Sequence, residues 1–476
     1  MKSLSQPRSI PDPTFLFVLI AAALTLTSLL VEDTIRIVIL AVVLLPPAAW
    51  LLIKLFTSAE AGVILLIVAG AMPRGNLEVG GLNARAEHIA AGVLCLSLPF
   101  LIRRQRQGNV WMFPDYALAA YIGLNIFSSI FMSVDPSQTL KWSMQQMLAI
   151  LPYFFLRVLI PDEAKFSWAI RIFIIVGILV ATYGVLAYYS SILFGTTFGM
   201  ALEQYEDMPA TYGTQFEPNL LGAVCGAFAV FMLAMYLQQR RKYFLAGYGI
   251  AFVGMVVSLS RGALGASFIG FLALAYFAKR MRLLNRHVIS SILIATLCVG
   301  LICLPLAIQF SERLSTLKVT DPTADGNTFF RLVQFVAALD NIVQRPVFGN
   351  GTASFQLLFN RADADIDIGA ETPWIANSEL RIVHDTGFIG FIVFMVFLCS
   401  LIRRSIRLLR TGYYPVVFAL LISLMVYSIS FQVTEGTILA FTWVHLGLLG
   451  CAVHLFGTAN RNTSASTSLE PQSPSA

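Results

Sequence analysis

Long continuous apolar runs, separated by short charged or Gly- and Pro-containing breaks, dominate the chain. They fall at 14–31, 35–55, 60–72, 84–102, 115–134, 138–158, 166–190, 217–237, 243–259, 262–278, 287–308, 386–402, 415–433 and 438–456. Most approach the roughly 20 residues that a helix needs to cross the hydrocarbon layer. None shows the short polar/apolar alternation of a lipid-facing β-strand. The pattern therefore predicts an all-α polytopic membrane protein with about 12–14 transmembrane helices. The third run is short, and Pro46-Pro47 is expected to kink the second.

Four regions follow: an N-terminal transmembrane bundle at 1–308, a long loop at 309–385, C-terminal transmembrane helices at 386–456, and a tail at 457–476. The tail is rich in Ser, Thr, Pro and Asn, has no apolar periodicity and is expected to be disordered. No small-x-small cleavage pattern follows the first run, so it reads as a retained helix with the N-terminus in the cytoplasm.

Threading the runs alternately places Arg103-Arg104, Arg240-Arg241-Lys242, Lys279-Arg280 and Arg403-Arg404 on one side, which the positive-inside tendency makes cytoplasmic. The C-terminus lies on that side too. The same threading puts 72–88, 195–216, the break at Ser260-Arg261-Gly262 and the loop 309–385 on the extracytoplasmic side. Cationic residues are scarce there, so those present ask for a reason.

Composition agrees with this assignment. Of 476 residues, 57% are hydrophobic and 12% charged, too apolar for a soluble core to hide. The net charge of +6 sits at span ends, which points to topology and away from nucleic acid. The six cysteines all lie within apolar runs without a Cys-x-x-Cys pair, so neither a disulfide nor a zinc site is expected.

Candidate chemistry gathers at the extracytoplasmic breaks. Ser258 to Gly265 interrupts an apolar stretch too long for one crossing, so Arg261 sits at a tight turn. Its guanidinium offers a planar fork of donors to phosphate oxygens. In the long loop, residues 328–344 have apolar positions at helical spacing. This helix is expected to lie on the membrane or cover the spans, ending at Pro346, Gly349 and Gly351. Arg331 in its first turn, beside free backbone N–H groups, makes an anion site.

A second short helix is expected at 373–384, with Asn377, Arg381 and His384 on one face and Glu379 on the next turn. Glu217 and Asn219 flank Pro218 at the mouth of a span, where a carboxylate serves as a base or binds a cation. Asp363, Asp365 and Asp367 begin like a calcium loop. Ile368 and Trp374 then stand where Gly and Glu are required, so no metal is expected.

These residues resemble the O-antigen ligase and polymerase family of bacterial polytopic membrane proteins. The likeness rests on Ser260-Arg261-Gly262, on Arg331 followed by Pro346-x-x-Gly349-x-Gly351, on Asn377-Ser-Glu379 through Thr386-Gly387, and on Glu217-Pro-Asn219. It covers roughly 215–390. Ligases of the family carry a His just before the Asn of the last motif, where this chain has Ala376.

The resemblance implies a glycosyltransferase of the bacterial cytoplasmic membrane that takes a glycan from a polyprenyl-diphosphate carrier and joins it to a glycan or glycolipid acceptor, without a cofactor. Arg261 and Arg331 would hold the diphosphate, Glu379 would deprotonate the incoming hydroxyl, and Asn377 and Arg381 would position sugar or carboxylate. Glu217 and Asn219 complete the substrate-binding set, and other polysaccharide-assembly proteins are possible partners. Ala376 favours a surface polysaccharide or exopolysaccharide polymerase over an O-antigen ligase. A lipid-linked oligosaccharide flippase and a catalytically inactive family member are the other readings.

Overall fold

In a computed structural model of the chain, the described residues are 58–74, 76–79, 82–104, 111–201, 210–304, 326–359, 374–412 and 414–467. The runs at 14–31 and 35–55, Arg313, Arg361 and the three aspartates at 363, 365 and 367 lie outside them.

The chain is an all-α polytopic membrane protein. Its bundle helices are α1 (Ala59–Ala71), α2 (Ala86–Arg104), α3 (Phe113–Phe131), α4 (Pro136–Leu159), α5 (Glu163–Phe194), α6 (Pro218–Gln239), α7 (Lys242–Val257), α8 (Arg261–Arg280) and α9 (Arg286–Ile302). The amphipathic α10 (Gly326–Gln344) and the one-turn α11 (Phe355–Leu358) come next. After them, α12 (Ser378–Thr411), α13 (Pro415–Ser430) and α14 (Ala440–Thr467) complete the order. Among the described residues, five helices are long and apolar enough to cross a membrane, and five shorter apolar ones join them.

Helix α6 is the axis. It is apolar on every side and 94% buried over its most hydrophobic window, as a helix enclosed by other helices must be. Helices α7, α8 and α13 pack on it. Small residues permit the close approach: a Cβ on Gly222 would lie 2.6 Å from Ser258 Oγ and 2.7 Å from Ala263 Cβ. Helix α1, at 13 residues about 20 Å long, is too short to span alone. It is buried instead against α2, α4, α5 and α14.

Two local findings differ from the sequence reading. The 72–88 connection contains a hairpin, β1 (Asn76–Val79) paired antiparallel with β2 (Leu82–Arg85), and Met200–Ala201 pairs with Ala210–Thr211. Helix α14 continues to Thr467, eleven residues into the tail expected to be disordered.

The long-loop boundary also shifts. Asn377 caps the N-terminus of α12, its side chain accepting from Leu380 N at 2.8 Å, so the short helix and the following span are one element. Gly387 breaks that element at φ 67°, ψ −175°. Residues 346–351 clasp the break. Phe388 and Ile389 N–H, freed from the helix, donate to the Pro346 and Val347 carbonyls at 2.8 and 3.3 Å. Asn350 and Gly351 N–H donate in turn to the His384 and Asp385 carbonyls at 2.9 and 3.0 Å. Four backbone groups at the kink thus find partners, as burial in the bundle demands.

Candidate functional site

Three helices begin at one end of the bundle: α6 after Glu217, α8 at Arg261 and α12 after Asn377. Their opposite ends carry Arg240-Arg241, Lys279-Arg280 and Arg403-Arg404. Ser260 caps α8, accepting from Ala263 N, and its hydroxyl donates to Asn219 Oδ1 at 2.9 Å. The Ser-Arg-Gly turn and the Glu-Pro-Asn segment are therefore one structural unit. Leu259, at φ 51°, takes the left-handed conformation that turns α7 into α8.

The turn between α13 and α14, residues 431–438, binds this unit to the long loop. Ser378 N donates to the Phe431 carbonyl at 2.9 Å. Asn377 Nδ2 donates to the Gln432 carbonyl and to Gln432 Oε1 at 3.2 and 3.1 Å. Arg331 Nη1 donates to the Val433 carbonyl at 2.5 Å, while a Cβ on Gly262 would run into the Val433 side chain. Thr434 donates to Glu217 Oε1. Arg381 Nη1 lies 3.5 Å from Glu435 Oε1, and Arg85 Nη2 donates to the Ile438 carbonyl at 3.2 Å.

The Arg261 turn and the Arg331 guanidinium thus converge on Val433, and Glu217, Asn377 and Arg381 contact its neighbours. Glu379 joins through Gln432, within hydrogen-bonding reach, and is close enough to Glu435 for their charges to interact. Among the described residues, Glu379 Oε2 and Glu435 Oε2 are buried without a hydrogen-bond partner. A buried carboxylate oxygen in that state is poised to accept a proton or a hydroxyl donor.

Arg381, expected to position sugar or carboxylate, has a side chain 13% exposed, 3.3 Å from Asp385 Oδ2 and 3.5 Å from Glu435 Oε1. Asn377 is the cap of α12, so Ala376 precedes the helix and no shared helical face relates it to Glu379. His384 is fully buried, Nδ1 on Asp385 Oδ1 at 3.0 Å, and supports the clasp.

Sequence reasoning missed Glu435 and Arg85. Glu435 is 1% exposed in a short turn between two apolar runs, and an ionisable residue at such depth is itself a functional signal. Arg85 belongs to the extracytoplasmic connection where positive residues required a reason. Its Nε is 3.2 Å from Glu87 Oε1, and its guanidinium lies over Phe216, 5.5 Å from the ring centroid. Burial makes the charged form of Arg85 less favourable and so lowers its pKa. Glu87 opposes that effect and Arg381 adds to it.

Residues 246–395, from α7 into α12, match the model of a family described as O-antigen ligase. No curated protein matches the chain.

Proposed function

We propose, from the match of residues 246–395 to a family described as O-antigen ligase, that the chain transfers glycan from a polyprenyl-diphosphate carrier at the extracytoplasmic face of a bacterial cytoplasmic membrane. The observation that carries the reading is the convergence of the Arg261 turn and Arg331 on Val433, beside the Glu379 and Glu435 carboxylates, each with one buried oxygen.

In the step proposed, an acceptor hydroxyl oxygen attacks the anomeric carbon. The bond to the diphosphate oxygen breaks, its electron pair leaves with the carrier, and the hydroxyl proton passes to Glu379. Negative charge develops on the leaving diphosphate, so guanidiniums already fixed beside it favour the transition state over the ground state. Arg261 and Arg331 fill that role. Arg381 holds Glu435 beside Glu379, and Asn377 with Gln432 orders the approach to Glu379. The donor's energy lies in its own diphosphate linkage, so no cofactor is needed.

Ala376, standing where the resembled ligases have His, favours extension of a surface polysaccharide over transfer to a lipid acceptor. Purified full-length protein, given lipid-linked repeat units, is expected to release polyprenyl diphosphate and form longer glycan. Arg331→Ala is expected to lower the rate by about 10²-fold, the scale of losing one charge-stabilising donor. An unchanged rate would remove the active-site assignment.

A further inference from the structure

Helix α10 carries two apolar faces, and among the described residues only one is covered. Ala338 packs in a cluster with Phe355 and Ile375, and Gln334 and Ile342 are buried beside it on the same side. Leu332, Phe335, Val336, Leu339 and Val343 form a second stripe at helical spacing, each between 41% and 77% exposed. They occupy an arc of roughly 100°, the width by which an amphipathic helix buries itself.

The stripe continues onto lipid-facing surface. Below α10 the chain passes through Val347, half exposed, to Phe348, whose ring is 5.2 Å from Phe127 on α3; Phe127 lies 4.9 Å from Phe131. Val347 also meets the kink of α12, where Phe388, Ile389 and Ile392 are exposed. Helix α12 is a spanning helix, so this flank faces acyl chains. Helix α10 is not among the helices apolar enough to cross, because Gln334, Asp340 and Asn341 interrupt it.

We propose that the Leu332–Phe335–Val336–Leu339–Val343 stripe inserts among the acyl chains of the adjoining leaflet, making α10 an interfacial anchor. A helix with one strong apolar face and polar margins takes that position at a bilayer surface. One consequence concerns the site: anchoring α10 holds Arg331, at the margin of the stripe, at the depth of lipid headgroups, where a carrier's diphosphate lies. Only this consequence rests on the transferase reading; the lipid contact does not.

The test uses full-length protein in vesicles of phosphatidylethanolamine and phosphatidylglycerol containing a phospholipid with a diazirine on its acyl chain. After photolysis, adducts are mapped by peptide mass spectrometry, with exposed Phe268 and Leu272 of the spanning helix α8 as the internal reference. Adducts on Leu339 or Val343 are expected at a level comparable to that reference. The double substitution Leu339→Gln, Val343→Gln is expected to remove them while α8 stays labelled, which also shows that the bundle is intact. Label on α8 with none on 331–344 would overturn the proposal. Lipid adducts without any glycan transfer would leave the anchor standing and remove the transferase reading alone.

Discussion

A guanidinium sealed between two carboxylates, as Arg381 is between Asp385 and Glu435, serves a different purpose from one that reaches a backbone carbonyl at a partly open margin, as Arg331 does. Removing Arg381 leaves two buried carboxylates without the guanidinium they share. Arg381→Ala is therefore expected to cost about 3–5 kcal/mol of stability, the usual penalty for breaking a buried pair, visible as a lower midpoint in thermal unfolding in detergent. Arg331→Ala should leave that midpoint nearly unchanged while abolishing most transfer. At the carboxylates, Glu379→Gln is expected to lower kcat far more than it raises KM, because a base acts only as the reaction proceeds. Glu435→Gln is expected to lower kcat less, since it acts through Glu379. Equal effects of the two substitutions in steady-state kinetics would return the base to an unassigned residue.

Among the elements, the kink of α12 and the 346–351 clasp depend on backbone approaches that only glycine allows. A Cβ on Gly387 would overlap the Val347 carbonyl, and one on Gly349 would come within 2.6 Å of the Asp385, Thr386 and Gly387 backbone. Both glycines have positive φ, 67° and 74°. Gly387→Ala is expected to cost more than the roughly 1–2 kcal/mol of left-handed backbone alone. The clasp should then open, and proteolysis near Arg345 in detergent should accelerate relative to the parent chain. The Pro-x-x-Gly-x-Gly run was legible in the sequence as the stop of a helix, since Pro and Gly end helices for local reasons. That its N–H groups cap carbonyls of a segment 34 residues later was not, because such pairing has no local signature.

At the scale of the whole molecule, the bundle brings breaks from four separate connections to one end, and the turn at 431–438 ties them together. A strain lacking this protein is expected to accumulate lipid-linked repeat units on the extracytoplasmic side of its membrane, where a labelling reagent that cannot enter the cell would reach them. Accumulation on the cytoplasmic side would instead indicate a flippase.

The apolar runs by themselves determined the class, the helix positions within the described residues, and which breaks share a side. Those properties follow from the length of a helix against the thickness of hydrocarbon and from the placement of Lys and Arg. Arg261, Arg331, Glu217 and Asn377 were likewise legible, because a polar group at a span end stands out against its neighbours. Only the tertiary structure decided that Arg381 braces Glu435, and that Arg85 reaches the same turn. Those contacts join residues tens to hundreds of positions apart, and a linear pattern records what each residue is without recording which residue it will face.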